Sequence, residues 1–232
     1  MYRKYLNARS PLRLLEKGLH GGLGKGNLGL VLAGHGVGKT ACLVGIALDE
    51  LLRGGHVLHV CLDRPTNPVN HVREFYDTVF HDLAESTHLE DAVRVHADVD
   101  RRRSIRAYPA ASFSAAKLRE SVKFESEAGA RPDLVILEGF EVASAPRDEL
   151  LDLKVLAGEL GAEIWLSASV ADERVPALPA GLRPIEDVLS VILALEPGDG
   201  ALRLRALKDH DSRDVSQLHV ALDPTTLLLK RS

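Results

Sequence analysis

Apolar residues fall along this chain in two rhythms. Short, nearly unbroken apolar runs occupy Leu28–Gly34, His56–Asp63, Asp133–Glu138, Glu163–Ser169 and Ser190–Leu195. Such runs mark strands buried on both faces of a parallel sheet. Between them the spacing turns helical, over Lys39–Arg53, over Pro68–Ser86 (Val69, Val72, Phe75, Val79, Leu83) and over Arg147–Leu160. Gly54-Gly55 and Gly161 are placed to stop two of these helices, and Ser112 or Ser114 to start another that runs to Gly129. The alternation predicts a mostly parallel sheet covered by helices. Residues 87–112 are mixed in charge and offer one short strand, Ser104–Tyr108. Residues 170–184 carry three prolines and read as a loop, with a helical turn at Ile185–Val188. Three further segments, Ala201–Lys208, Ser216–Asp223 and Thr226–Leu229, are separated by turn residues at Pro197-Gly198-Asp199-Gly200 and Asp223-Pro224. They predict an antiparallel β-meander that extends the sheet. No internal repeat or domain break is visible, so residues 1–13 are expected to form an N-terminal arm and 14–232 one domain.

Composition narrows the partners. The chain has 232 residues, enough for one sizeable core, and a net charge of −4 that exerts no global pull on nucleic acid or anionic membrane. No run reaches the ~18 apolar residues of a membrane helix. The start, Met1-Tyr2-Arg3-Lys4-Tyr5, lacks a signal-peptide core, so a cytoplasmic location is expected. Cys42 and Cys61 read as small buried hydrophobes. The ten histidines show no metal spacing, His56 and His59 being expected on opposite faces of a strand.

One segment carries chemistry. Ala33-Gly34-His35-Gly36-Val37-Gly38-Lys39-Thr40 joins an apolar strand to a helix that begins near Ala41. This is the strand–loop–helix setting of a phosphate-binding P-loop, with alanine where the first glycine usually stands. Glycines let backbone N–H groups wrap phosphate oxygens, and the helix start adds a positive dipole end. The expected nucleotide-binding residues are therefore Gly34, His35, Gly36, Val37, Gly38, Lys39, Thr40 and Ala41. Lys39 is expected to reach the β- and γ-phosphates and Thr40 to ligate Mg²⁺, making ATP and Mg²⁺ the implied cofactors.

Taken with the order of elements, the chain from about Leu14 to Leu229 resembles a RecA-like ATPase core, nearest to KaiC-type and DnaB-helicase-type domains. The lead-in Leu15-Glu16-Lys17-Gly18-Leu19-His20-Gly21-Gly22-Leu23-Gly24-Lys25-Gly26-Asn27-Leu28 is similar to that family's Gly-Gly-Leu turn. His56–Pro65, Leu153–Ser167 and Ala206-Leu207-Lys208 are similar to its second strand, the helix and strand after its Walker B segment, and its late strand. The resemblance implies Asp63 as the general base at the end of the second strand and Glu138 as the Walker B carboxylate near the metal. It also implies that Lys208 is directed at a neighbouring subunit's nucleotide. In that family a glutamate stands where Asp63 is, an aspartate where Glu138 is, a polar sensor at Ala168 and an arginine finger at His210; Arg213 is the one nearby substitute for the finger.

Three functions follow as expectations. The first is an ATPase working as an oligomeric motor or switch. The second is a non-hydrolysing, nucleotide-sensing regulator, suggested by the four departures around an intact loop. The third is a DNA repair or recombination ATPase. For that last reading the loops Gly139–Asp148 and Val170–Pro184 are net neutral and carry one aromatic, Phe140, which makes a poor DNA channel. The Arg101–Arg103 run reads as a solvated loop rather than a phosphate patch. Self-association, or pairing with a related RecA-like protein, is expected, with Tyr2, Tyr5 and Leu6 as an apolar hook.

Overall fold

In the computed structural model the described residues are 11–62, 67–212, 215 and 218–232. The N-terminal hook, Asp63 and Arg213 lie outside them. The elements run α1 (Pro11–Gly18), β1 (Leu28–Gly34), α2 (Lys39–Arg53), β2 (Val57–Leu62), α3 (Pro68–Thr87), α4 (Ala92–Arg102), β3 (Arg103–Tyr108), α5 (Ala115–Glu127), β4 (Leu134–Glu138), α6 (Arg147–Leu160), β5 (Glu163–Val170), β6 (Val191–Pro197), β7 (Leu202–Asp209), β8 (Val220–Leu222) and β9 (Leu229–Arg231). Among the described residues the strands form a nine-stranded sheet in the order β3-β2-β4-β5-β1-β6-β7-β8-β9. The pairs from β3 to β6 are parallel and those from β6 onward antiparallel. The fold is therefore α/β, a mostly parallel sheet with antiparallel strands at its C-terminal side. No helix among the described residues is long and apolar enough to cross a membrane.

Alternation along the strands splits the core in two. Leu28, Leu30 and Leu32 of β1 join Leu58, Val60, Val135, Leu137, Ile164 and Leu166 under α5 and α6. Val31 and Ala33 point the other way and join Ile136, Trp165 and Leu193 under α2, α3 and α4. Period-two alternation with both faces covered explains the unbroken apolar runs. Gly29 lies under the lone tryptophan, since a Cβ there would stand 2.6 Å from the Trp165 ring. The helix ends follow local chemistry. Gly54 closes α2 at φ +97°, with its N–H on the Leu51 carbonyl, Gly161 closes α6, and the Ser114 hydroxyl accepts from Lys117 N–H at the start of α5.

Four expectations are corrected. The charged stretch after residue 87 holds a helix, α4, anchored by Val95 and Val99, which are four apart and both buried. The Arg101–Arg103 run is not a loop: Arg101 and Arg102 end α4, where the helix dipole favours cations, and Arg103 opens β3. Arg102 donates to the Gly54 carbonyl, and Arg103 lies over the Tyr76 ring at 4.6 Å with 5% of its side chain exposed. The helical turn expected at Ile185–Val188 is a 3₁₀ turn at Ala180–Ile185, inside the expected loop. The last strand starts at Leu229 rather than Thr226, because the Asp223 carboxylate accepts from the N–H groups of Thr225 and Thr226 and Leu227 turns at φ +57°.

Candidate functional site at the carboxyl edge of the sheet

β1 delivers the chain to Gly34, and a tight loop returns it at Lys39 as the first residue of α2. Two glycines make that reversal, Gly36 at φ +77° and Gly38 at φ +105°, a region that side-chain-bearing residues seldom adopt. A Cβ on Gly36 would meet nothing within 4 Å among the described residues. Gly38 rests on Leu195, Leu202 and Leu222 of the antiparallel strands. The Lys39 ammonium folds back into the loop and donates to the carbonyls of Ala33 at 3.2 Å and Gly34 at 3.0 Å. His35 is exposed, while Val37, Thr40 and Ala41 are buried. The N-cap of α2 is Gly38, which has no side chain to cap it. A cation held at the centre of a glycine-rich turn, ahead of a helix start, suits a phosphate group. The buried Thr40 hydroxyl in the first helical turn suits a hard cation bound to that phosphate.

The parallel strands bring Glu138 to the same edge. Leu137 lies opposite Leu166, which lies opposite Leu30, so β4 ends beside the approach to the loop with β5 between them. Open α/β sheets bind ligands outside this carboxyl edge. Glu138, the last residue of β4, lies on the α2 face with Leu134 and Ile136 and is 1% exposed. Its Oε2 is 3.4 Å from Nε2 of His59, and His59 Nδ1 meets the Tyr76 hydroxyl at 3.2 Å. The next residue, Gly139, turns at φ +81° so close to β2 that a Cβ would sit 2.4 Å from the Leu62 carbonyl oxygen. A second loop covers the first, because a Cβ on Gly34 would meet the backbone of Glu173 at 3.0 Å and of Asp172 at 3.2 Å. That cover is held by Glu196, whose carboxylate accepts from Val175 N–H at 2.6 Å and pairs with Arg205.

The remaining sequence candidates fall elsewhere. Lys208 is on β7, and it lies near the opposite edge of the sheet, paired with Ile192 near the start of β6. Its ammonium donates to the carbonyls of Glu186 and Leu189, both at 2.6 Å. Within one chain it does not join the glycine loop. His210, where the family resemblance implies a finger, meets the Leu23 carbonyl and the buried Asp209 carboxylate. Ala168 is half-buried on β5. Arg147, one of the cations available to a nucleic-acid channel, is engaged by both oxygens of Asp187 and by the Pro184 carbonyl. That bond holds the Asp187 carboxyl down at about 2.

Cys42 is a buried apolar-core residue as expected, and burial alone pushes its thiol up to about 12. Cys61 is not simply a hydrophobe. One donor atom each from His59, Cys61 and Glu138 lie within 4.8 Å of one another, all buried, which corrects the expectation that the histidines have no ligand geometry. The signal was in β2, where His59 and Cys61 are two apart and share a face, but it needed the register Cys61 to Glu138 to become visible. A scan against protein-family models matches none, and no curated protein matches the chain.

Proposed function

We propose that this chain is a RecA-like P-loop protein that binds ATP with Mg²⁺ at residues 34–41 and hydrolyses it weakly, as a nucleotide-dependent oligomeric motor or switch. The observation that carries the reading is the Lys39 ammonium, held inside a loop turned by Gly36 and Gly38 at the mouth of α2. In this reading the loop N–H groups and Lys39 bind the β- and γ-phosphates, and Thr40 and Glu138 hold the metal, Glu138 through water. Bound Mg²⁺ supplies neutralisation of phosphate charge. Asp63 follows β2 directly and is the base, and Lys208 acts only across an interface with another subunit or a related protein.

A specific observation favours slow turnover over fast. Glu138 is fully buried beside His59, and Ala168 offers no side-chain hydrogen bond at the sensor position. The nucleotide-sensing regulator is therefore the second reading. DNA repair ranks third, since Arg147 is already engaged by Asp187.

The test is nucleotide affinity, from a fluorescent ATP analogue, and phosphate release, measured side by side for the protein and Lys39→Ala. Removing a charge-assisted contact worth about 1.5–3 kcal/mol weakens binding roughly 10- to 100-fold. Slow, Lys39-dependent release supports the ATPase, and binding without release supports the regulator. Equal affinity in both proteins, or no binding in either, overturns the reading.

A further inference from the structure

His59, Cys61 and Glu138 form a buried cluster of three metal-ligating side chains. The three side chains, with 0%, 1% and 1% exposure, sit on the sheet face covered by α2 and α3. Burying such groups costs several kcal/mol unless something satisfies them. His59 Nε2 is the telling atom, because it is fully buried and makes no hydrogen bond among the described residues. It faces the Glu138 carboxylate at 3.4 Å, while the other ring nitrogen is steered by Tyr76. A ring nitrogen aimed at a carboxylate oxygen without a hydrogen bond between them leaves room for a cation to bridge the two.

We propose that His59, Cys61 and Glu138 form a binding site for a borderline-soft divalent metal ion such as Zn²⁺, with one nitrogen, one sulfur and one oxygen donor. The spacing supports it, since metal–ligand lengths of about 2.0–2.2 Å for nitrogen and oxygen put tetrahedral neighbours roughly 3.3–3.5 Å apart. That matches the 3.4 Å between Nε2 and Oε2. The sulfur lies within the 4.8 Å spread of the donors, so a side-chain rotation closes the site. Backbone register builds it: Cys61 is opposite Glu138 on the neighbouring strand, and His59 is two residues earlier on the same face. The Tyr76 hydroxyl then plays the outer-shell part that fixes the ring of a metal-bound histidine. Three protein donors leave a fourth position for water. Loading displaces the Cys61 thiol proton to solvent, because the thiolate is the ligand. Thiolate and imidazole select Zn²⁺ or Co²⁺ over Mg²⁺. The site shares Glu138 with the proposed nucleotide reading but does not depend on it.

The experiment is a titration of chelator-treated full-length protein with Co²⁺, without nucleotide, followed by optical absorption and then by Zn²⁺ displacement. The expected result is one equivalent bound, with tetrahedral d–d bands and a thiolate-to-cobalt charge-transfer band, both abolished by Zn²⁺. Cys61→Ser, close in size, loses the charge-transfer band. Tyr76→Phe keeps the bands but binds about 10- to 100-fold more weakly. Circular dichroism checks that each variant is folded, and a Zn²⁺-dependent rise in melting temperature in the parent, absent in Cys61→Ser, is a second readout. Cobalt bound without the sulfur band overturns the proposal. Such binding would belong to a sulfur-free set such as Asp77, His96 and Asp100, and Asp77→Asn would remove it. No cobalt binding at all equally overturns it and leaves His59 and Glu138 as a buried side-chain pair. Neither result touches the nucleotide assay, which uses Mg²⁺ and Lys39.

Discussion

Replacing Gly139 by alanine should destabilise the protein far more than the same change at Gly129. The two glycines have nearly the same φ, +81° and +80°. Holding an alanine there costs about 1–2 kcal/mol at either position. The surroundings differ. A Cβ at Gly129 meets nothing within 4 Å, whereas at Gly139 it would stand 2.4 Å from the carbonyl oxygen of Leu62 and 3.2 Å from its carbon. Backbone cannot swing aside as a side-chain tip can, so β2 and β4 must separate at their carboxyl ends, which adds about 1–3 kcal/mol of overpacking. The expectation is about 1–2 kcal/mol for Gly129→Ala and roughly 2–5 kcal/mol for Gly139→Ala. At about 2–4 °C per kcal/mol for a chain of this size, the melting temperature falls by roughly 2–8 °C and 4–20 °C respectively. Thermal unfolding followed by far-ultraviolet circular dichroism measures both. Equal shifts would mean that the close approach of Gly139 to Leu62 does not exist, and with it the placement of Glu138.

Other consequences can be checked quickly. Gly29→Ala drives a methyl into the Trp165 ring, which should cost about 1–3 kcal/mol and shift the emission of the lone tryptophan to the red; unchanged emission would refute the packing. Asp187 titrates near 2 when folded, below the 3.8 of a free carboxyl, because Arg147 bonds its charged form. A group lowered on folding stabilises above its unfolded value, so Asp187→Asn should lower stability above about pH 4, with the difference from the parent vanishing as pH falls through 2. A constant gap across that range would refute it. Cys42, buried and pushed up to about 12, should resist a disulfide reagent at pH 8 until the chain unfolds; fast labelling of a Cys61→Ser protein would show otherwise.

Why some elements were readable and others not comes down to where their information lies. The helices 39–53 and 147–160 and the strand 28–34 match to the residue because their ends depend on neighbours in sequence: Gly38 and Gly54 for one helix, Gly161 for another. Helix α4 escaped because two valines four apart, amid acids and arginines, satisfy no longer periodicity. The start of β9 depends on the carboxylate of Asp223 capping its own turn, an event that tilts the chain by hydrogen bonds rather than by pattern. The glycine loop was legible from a local motif. The trio at His59, Cys61 and Glu138 was not, because its donors converge only through strand register. Lys208 was legible as a residue but not as a place. Only the antiparallel course of β7 carries it away from the loop.

The floor beneath Gly38 comes almost entirely from the far end of the chain. Leu195, Leu202 and Leu222 support a turn made at residues 34–38, so the loop is synthesised well before the residues that complete it. While the ribosome is still adding β6, β7 and β8, α2 can coil and β1 can find early partners, but Gly38 has nothing to rest on. Contacts this distant in sequence form late in folding. A nascent chain stalled before residue 195 should therefore carry every residue of the glycine loop without its shape, and any ligand of that loop would be met only by a chain whose C-terminal strands are in place.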